Sequence, residues 1–321
     1  MPVPDVAEKW STKINEVTIG ATEAEGGSRS STVTIGGSGS LPFLRLDGDI
    51  GRRPAIAVEI WDAAADEMWP GVLKDVYGDA LSDPAKAAAK AVECGAELIS
   101  LKLMGTHPDY GDRSPQQAAD AVKAVLGAAG VPLIIWPCGV PEKDNNVVPA
   151  CTQAAKGENC LVGLATEKNY RTVAASCLAD GHKLICESPL DINIAKQTNV
   201  LASDAGFPLT DIVMHPTTGS LGYGLEYVYS ILERSRLAGL SGDKLLQQPV
   251  ILDCAHEAWR SKEGKSSEED LPGFGTAAER GVIWETLTAT NLLQAGGDIV
   301  VLRHPEAVAS VRQAIDSFCA E

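Results

Sequence analysis

The sequence contains no uninterrupted apolar run of about 18 residues, the length a membrane-spanning helix needs. No membrane partner is expected. Basic residues are scarce, with 27 Lys and Arg against 43 Asp and Glu and a formal net charge of −16. Such a surface repels phosphate backbones and anionic headgroups, which excludes nucleic acid as an expected partner. The eight cysteines are scattered. None forms a C-x-x-C pair, and no Cys/His group has zinc or iron–sulfur spacing, so neither a metal ligand set nor a cluster is expected here. The thiols read as reduced and mostly packed in a core. The opening MPVPDVAEKWSTK lacks the apolar centre of a signal peptide, and the expectation is a cytoplasmic chain. GGSGS at 36–40 lacks the third glycine of a dinucleotide fingerprint, and Pro42 follows where a helix would open.

What is present is enough for one large α/β domain or two small ones: 321 residues, 45% of them apolar. NEVTIGAT (15–22) and STVTIGGS (31–38) alternate apolar and polar residues around a Gly/Ser-rich turn, a β-hairpin pattern. It places an N-terminal extension over residues 1–50. From there on, short runs rich in Val, Ile and Leu recur at 55–61, 97–104, 132–137, 160–165, 183–188, 211–216, 249–254 and 298–303. Each is too short for a helix and apolar enough for a strand buried on both faces. Helical patterns lie between them at 82–95, 114–130, 169–181, 191–206, 225–240 and 278–296. Ser82 and Ser114 read as N-caps, and Pro115 stands at a first helical position. Eight strands with intervening helices predict a (β/α)8 TIM barrel over 51–321; a doubly wound open sheet is the structural alternative.

In such a barrel the loops after the strands build the active face. His107, His215, His256 and His304 fall near it, yet without metal-ligand spacing, and histidines at helix starts often serve as caps. Lys102, inside the second run, has the position of a Schiff-base nucleophile but equally of an ion-pair partner to Glu59 or Glu187. Asp62, Glu187 and Asp253 stand near strand ends, where carboxylates act as acid and base, accept from a heterocycle, or cap the next helix. HPTTGSLGYG (215–224) precedes a helix and could offer backbone N–H groups to an anion, but it has no cation and belongs to the sixth loop. A close-packed loop presenting backbone to a large uncharged surface suits its composition better.

That string, continued as LEYVYSILERSRLAGLSGD to residue 243, resembles the small (delta) subunit of the corrinoid/iron–sulfur protein of the CO dehydrogenase/acetyl-CoA synthase system. The resemblance extends to LPFLRLDGDIGRRPAIAVEIWD (41–62), CGVPEKD (138–144), AWRSKEG (258–264) and the segment 280–308. It departs from the family's pattern at His215, where many relatives carry aspartate, and in PCGVPEKD, which replaces a turn richer in glycine and serine. The resemblance implies a barrel paired as a heterodimer with a larger subunit that carries the iron–sulfur cluster and most contacts to cobalamin. It implies a methyl group received through a methyltetrahydrofolate (or methyltetrahydropterin) methyltransferase and passed to acetyl-CoA synthase. The barrel mouth would face the methyl-exchanging side of the cobalamin through Gly139, His215, Thr217, Thr218, Gly219, Leu221, Gly222 and Tyr223, with no catalytic residue of its own. The family shares its fold with pterin-binding barrels such as dihydropteroate synthase. An autonomous pterin-dependent methyltransferase, binding through Asp62, Asn145 or Asp253, is therefore the alternative.

Overall fold

A computed structural model describes residues 6–64 and 68–320. The first five residues of the opening stretch, residues 65–67 of the loop after the first apolar run, and the last residue lie outside it.

The N-terminal hairpin pairs β1 (Glu16–Ile19) antiparallel with β2 (Val33–Gly36), with Val17 opposite Ile35. Eight parallel strands follow: β3 (Ala55–Trp61), β4 (Leu98–Lys102), β5 (Leu133–Trp136), β6 (Leu161–Ala165), β7 (Lys183–Ser188), β8 (Ile212–Pro216), β9 (Ile251–Leu252) and β10 (Ile299–Leu302). Each of the eight predicted runs contains one of them. The ladder runs β8-β7-β6-β5-β4-β3-β10-β9, and a bridge between Met214 and Val250 joins its two ends. That closure distinguishes the barrel from the open doubly wound sheet.

The helices are α1 (Gly71–Tyr77), α2 (Pro84–Glu93), α3 (Pro115–Ala128), α4 (Pro141–Ala154), α5 (Tyr170–Asp180), α6 (Ile192–Asp204), α7 (Leu225–Leu240), α8 (Cys254–Arg260), α9 (Lys262–Lys265), α10 (Ala277–Ala295) and α11 (Pro305–Cys319). Ser114 caps α3 in a capping box, as its sequence predicts. At α2 the cap is Asp83, whose carboxylate accepts from Ala85 N at 2.8 Å, while Ser82 turns back to the Asp79 carbonyl. Asp83 is the residue directly before the proline, so the N1 proline decides the register.

Two apolar clusters result from the alternation along the strands. One joins the outward strand residues to the helices. The other fills the barrel, and it includes Val17, Ile19 and Ile35 of the hairpin together with Ala57, Leu98, Ile134, Val213 and Ile299. The hairpin thus plugs the floor of the barrel, at the N-terminal ends of the strands. Arg29 fixes it there: its Nε meets Glu158 at 2.8 Å, and its Nη2 donates to the Leu126 carbonyl at 2.8 Å. With the floor sealed, the accessible interior lies at the opposite, C-terminal end. Ile35→Ala is expected to lower the unfolding free energy by about 2–5 kcal/mol, the cost of emptying a core position. Chemical denaturation checks this; an unchanged midpoint would mean that the hairpin is no part of the core.

Candidate functional site

The inward residues change character toward the C-terminal ends of the strands. Aliphatic layers give way to Glu59, Lys102, Trp136, Glu187, His215 and Asp253, with Arg303 one residue beyond β10. Lys102 Nζ lies 2.5 Å from Asp253 Oδ2 and 3.1 Å from Glu59 Oε2. Arg303 Nη2 donates to Glu59 Oε1 at 2.6 Å, and the same oxygen accepts from Trp61 Nε1 at 2.5 Å. The Arg303 guanidinium sits over the Trp69 ring at 4.8 Å. Above this network opens a cavity of about 440 Å³ whose walls include Tyr110, Trp136, Cys138, Glu187, His215 and Thr218. A second cavity of about 350 Å³ adjoins it and shares Gly139, Glu187 and Thr217.

Lys102 therefore has the ion-pair role, with Glu59 as one expected partner; the other is Asp253 rather than Glu187. Three of the four histidines, His107, His215 and His256, line the cavity. His107 and His304 act as caps, each accepting a backbone N–H two residues on, from Asp109 and Glu306. Among the described residues no group of three His, Cys, Asp or Glu side chains is placed to hold a metal ion. Asp62 lies outside the cavity lining; its Oδ1 accepts from Gly105 N at 2.7 Å. Asn145 is also outside it, on α4.

The sixth loop divides into a buried and an exposed part. His215 is buried, and its Nδ1 lies 3.0 Å from the Ile251 carbonyl; Thr218 Oγ1 accepts from Asp253 N at 3.0 Å. Both bonds cross from β8 to β9, where the strand ladder is thinnest. Gly219 is buried against the Gly224 backbone, with no room for a Cβ. Leu221 is clamped to α10: its N–H donates to Thr288 Oγ1 at 3.2 Å, and its carbonyl accepts from Trp284 Nε1 at 3.1 Å. Thr217, Gly222 and Tyr223 are exposed, Tyr223 by 51%, and of the three only Thr217 lines a cavity. The N–H groups of Thr217, Leu221 and Tyr223 are taken within the protein, by the Ser188 carbonyl, Thr288 Oγ1 and the Ser220 carbonyl.

This geometry has relatives. The profile of the CO dehydrogenase/acetyl-CoA synthase delta subunit matches residues 16–313. The chain belongs to that family. The acetyl-CoA decarbonylase/synthase complex subunit delta of Methanosarcina mazei is 36% identical, the match covering 97% of this chain and 72% of the relative. The same subunit of Archaeoglobus fulgidus is 36% identical over 97% and 70%, and that of Methanothermobacter thermautotrophicus 34% identical over 92% and 74%. Among solved structures, dihydropteroate synthases share the fold. The Burkholderia cenocepacia enzyme superposes with a TM-score of 0.53 at 16% identity, covering 83% of this chain and 91% of that one. The Xanthomonas albilineans enzyme gives 0.53 at 15% identity, over 83% and 92%.

Electrostatics in this delta-subunit barrel follow from burial. Burial alone would raise Glu59, but Arg303 and Lys102 outweigh it and hold it well below the usual carboxylate range. Glu187 has no such cation of its own. Burial, then the nearby Asp253 and Asp144, push it up to about 7 against a weaker pull from Lys102. Burial lowers His215 to about 4, so its ring is neutral. A neutral ring whose Nδ1 faces a carbonyl carries its proton there, which leaves Nε2 as an acceptor. Sequence reasoning missed Arg303 and Cys138. Arg303 is signalled by a lone cation closing an apolar run. Cys138, whose thiol donates to Asp144 Oδ1 at 3.2 Å, gives no local signal at all.

Two outcomes are expected. Arg303→Met leaves Glu59 buried with half its counter-charge and should cost about 3–5 kcal/mol of stability by calorimetry or denaturant titration. Glu187 binds protons more tightly folded than unfolded, since its value rises from 4.5 to about 7. Stability must therefore fall as pH climbs through that window, and Glu187→Gln should flatten this part of the pH–stability curve.

Proposed function

We propose that this chain is the barrel subunit of a corrinoid iron–sulfur methyl carrier. It pairs with a larger subunit that holds the cluster and most of the cobalamin. The carrier takes a methyl group from methyltetrahydrofolate through a methyltransferase and delivers it to acetyl-CoA synthase. The observation that carries this reading is the family match across residues 16–313. Bound cobalamin supplies a cobalt centre that accepts and releases the methyl group.

The rim fits such a guest. A corrin ring with its side chains is wider than the 440 Å³ cavity, so it would meet the rim rather than enter. Gly139, at φ +89° with nothing within 4 Å of a Cβ position, leaves open space that any side chain would fill. Thr217, Gly222 and Tyr223 offer a hydroxyl, bare backbone and an aromatic ring, which pack against a flat face and exclude water without ligating. His215, Thr218, Gly219 and Leu221 act from below by holding the loop in place.

The autonomous pterin-dependent methyltransferase fares less well. Of Asp62, Asn145 and Asp253, only Asp253 lines the cavity, and its carboxylate is already bound to Lys102. Purification from the host tests the main reading: the chain is expected in a one-to-one heterodimer with a larger, cobalt-containing protein. Recovery as a free monomer without a cobalt-bearing companion overturns it. Gly222, at φ +76°, gives a finer test. Gly222→Val forces a β-branched residue into a conformation it avoids and should slow methyl transfer in the reconstituted heterodimer while leaving the barrel folded. An unchanged transfer rate would remove the rim loop from the cofactor face.

A further inference from the structure

We propose that the inner cavity is a binding site for a small planar cation of the amidine or guanidine class, held by Glu187 and His215 against Trp136. This site lies below the rim that faces the cobalamin, and its argument is independent of that cofactor.

Glu187 and His215 are the acceptors left open on the Trp136 side of the cavity. Lys102 is the lysine or arginine of the lining among the described residues, and it is committed to Asp253 and Glu59. Glu187 is partly buried, lines the cavity and has no hydrogen-bond partner among the described residues. His215 is only 4% exposed, also lines the cavity, and presents an unpartnered Nε2 acceptor once Nδ1 has donated to Ile251. A half-buried carboxylate and a buried ring nitrogen, side by side and without a hydrogen-bond donor from the protein, suit a ligand that brings two donors.

Their placement selects the ligand's shape. Glu187 and His215 are register partners on β7 and β8, so both reach into the cavity from one level of neighbouring strands about 4.8 Å apart. Two N–H donors on a single planar carbon can serve both. The wall beside them is aromatic: the Trp136 ring lies 4.9 Å from the His215 ring, and it already receives the Lys102 ammonium at 5.4 Å. A flat cation gains from such a wall as well as from the carboxylate. An anion would instead face Glu187, Asp253 and Glu257, and the net charge of −16 would repel it before entry.

The groups facing Glu187 are Asp253, Asp144 and Lys102, two acids against one base. A cationic guest favours ionised Glu187, so affinity should rise as pH increases through about 7.

The test uses the full chain and three isosteric probes, benzamidine, benzamide and benzoate, followed by tryptophan fluorescence and calorimetry. Benzamidine is expected to bind saturably, benzamide to bind at least about tenfold more weakly, and benzoate not to bind. Glu187→Gln, with its fold checked by circular dichroism, should weaken benzamidine by about tenfold or more. The pH dependence on the unaltered chain is a second measure that needs no variant. Binding of benzoate as tight as that of benzamidine, an unchanged affinity in folded Glu187→Gln, or an affinity that falls as pH rises overturns the proposal. Neither cobalamin nor a partner is needed, so this outcome and that of the methyl-carrier reading are separate.

Discussion

A cation taken out of water must be neutralised where it stands. Two are buried at the top of this barrel, Lys102 on β4 and Arg303 after β10, and the surrounding architecture answers them. Glu59 lies between both, with Lys102 at 3.1 Å and Arg303 at 2.6 Å, and Asp253 closes the network from β9. The four charges come from or adjoin four strands, so the network ties the barrel together just below its mouth. Trp61, Trp69 and Tyr77 extend it outward through edge-on ring contacts and the guanidinium over Trp69. Because these charges satisfy one another, Glu187 is left without a counter-ion, which is why burial raises it while Glu59 is held low.

A second constraint is closure. β9 contributes only Ile251 and Leu252 to the ladder, and a single bridge joins it to β8. Side chains supply what the backbone lacks: His215 bonds the Ile251 carbonyl, Thr218 accepts from Asp253 N, and Asp298 Oδ2 accepts from Val250 N at 2.8 Å. The Thr/Gly-rich string after β8 therefore has two duties along its length. Its buried members seal the barrel, and its exposed members, Thr217, Gly222 and Tyr223, turn to solvent. An aspartate at position 215, acceptor-only when ionised, could not donate to the Ile251 carbonyl, so the histidine here belongs with a seam built on a neutral donor.

All eight barrel strands were legible because parallel strands covered on both faces read as unbroken apolar runs. The helices were less so. Helix α4 carries Pro149 in its interior and the polar run PEKDNN at its start, which together mask its apolar stripe of Val147, Val148 and Cys151. Helix α8 is seven residues long, too short to show a period. In the site, the polar character of each strand end could be read, but pairings could not. Lys102 and Asp253 stand 151 residues apart, and only the closed ladder brings them to 2.5 Å. Choosing Asp253 over Glu187 as the lysine's partner needs the barrel's geometry, since both follow apolar runs in the same way.

The distribution of committed and uncommitted groups bears on what the chain can do alone. Acid–base catalysis needs a proton donor and an acceptor free to move between states. Here the strongest candidates, Lys102, Asp253 and Glu59, are bound to one another. Glu187 and His215 stand outside that network, adjacent to one another and facing the cavity. Such a mouth can select, orient and shield a guest by shape and field.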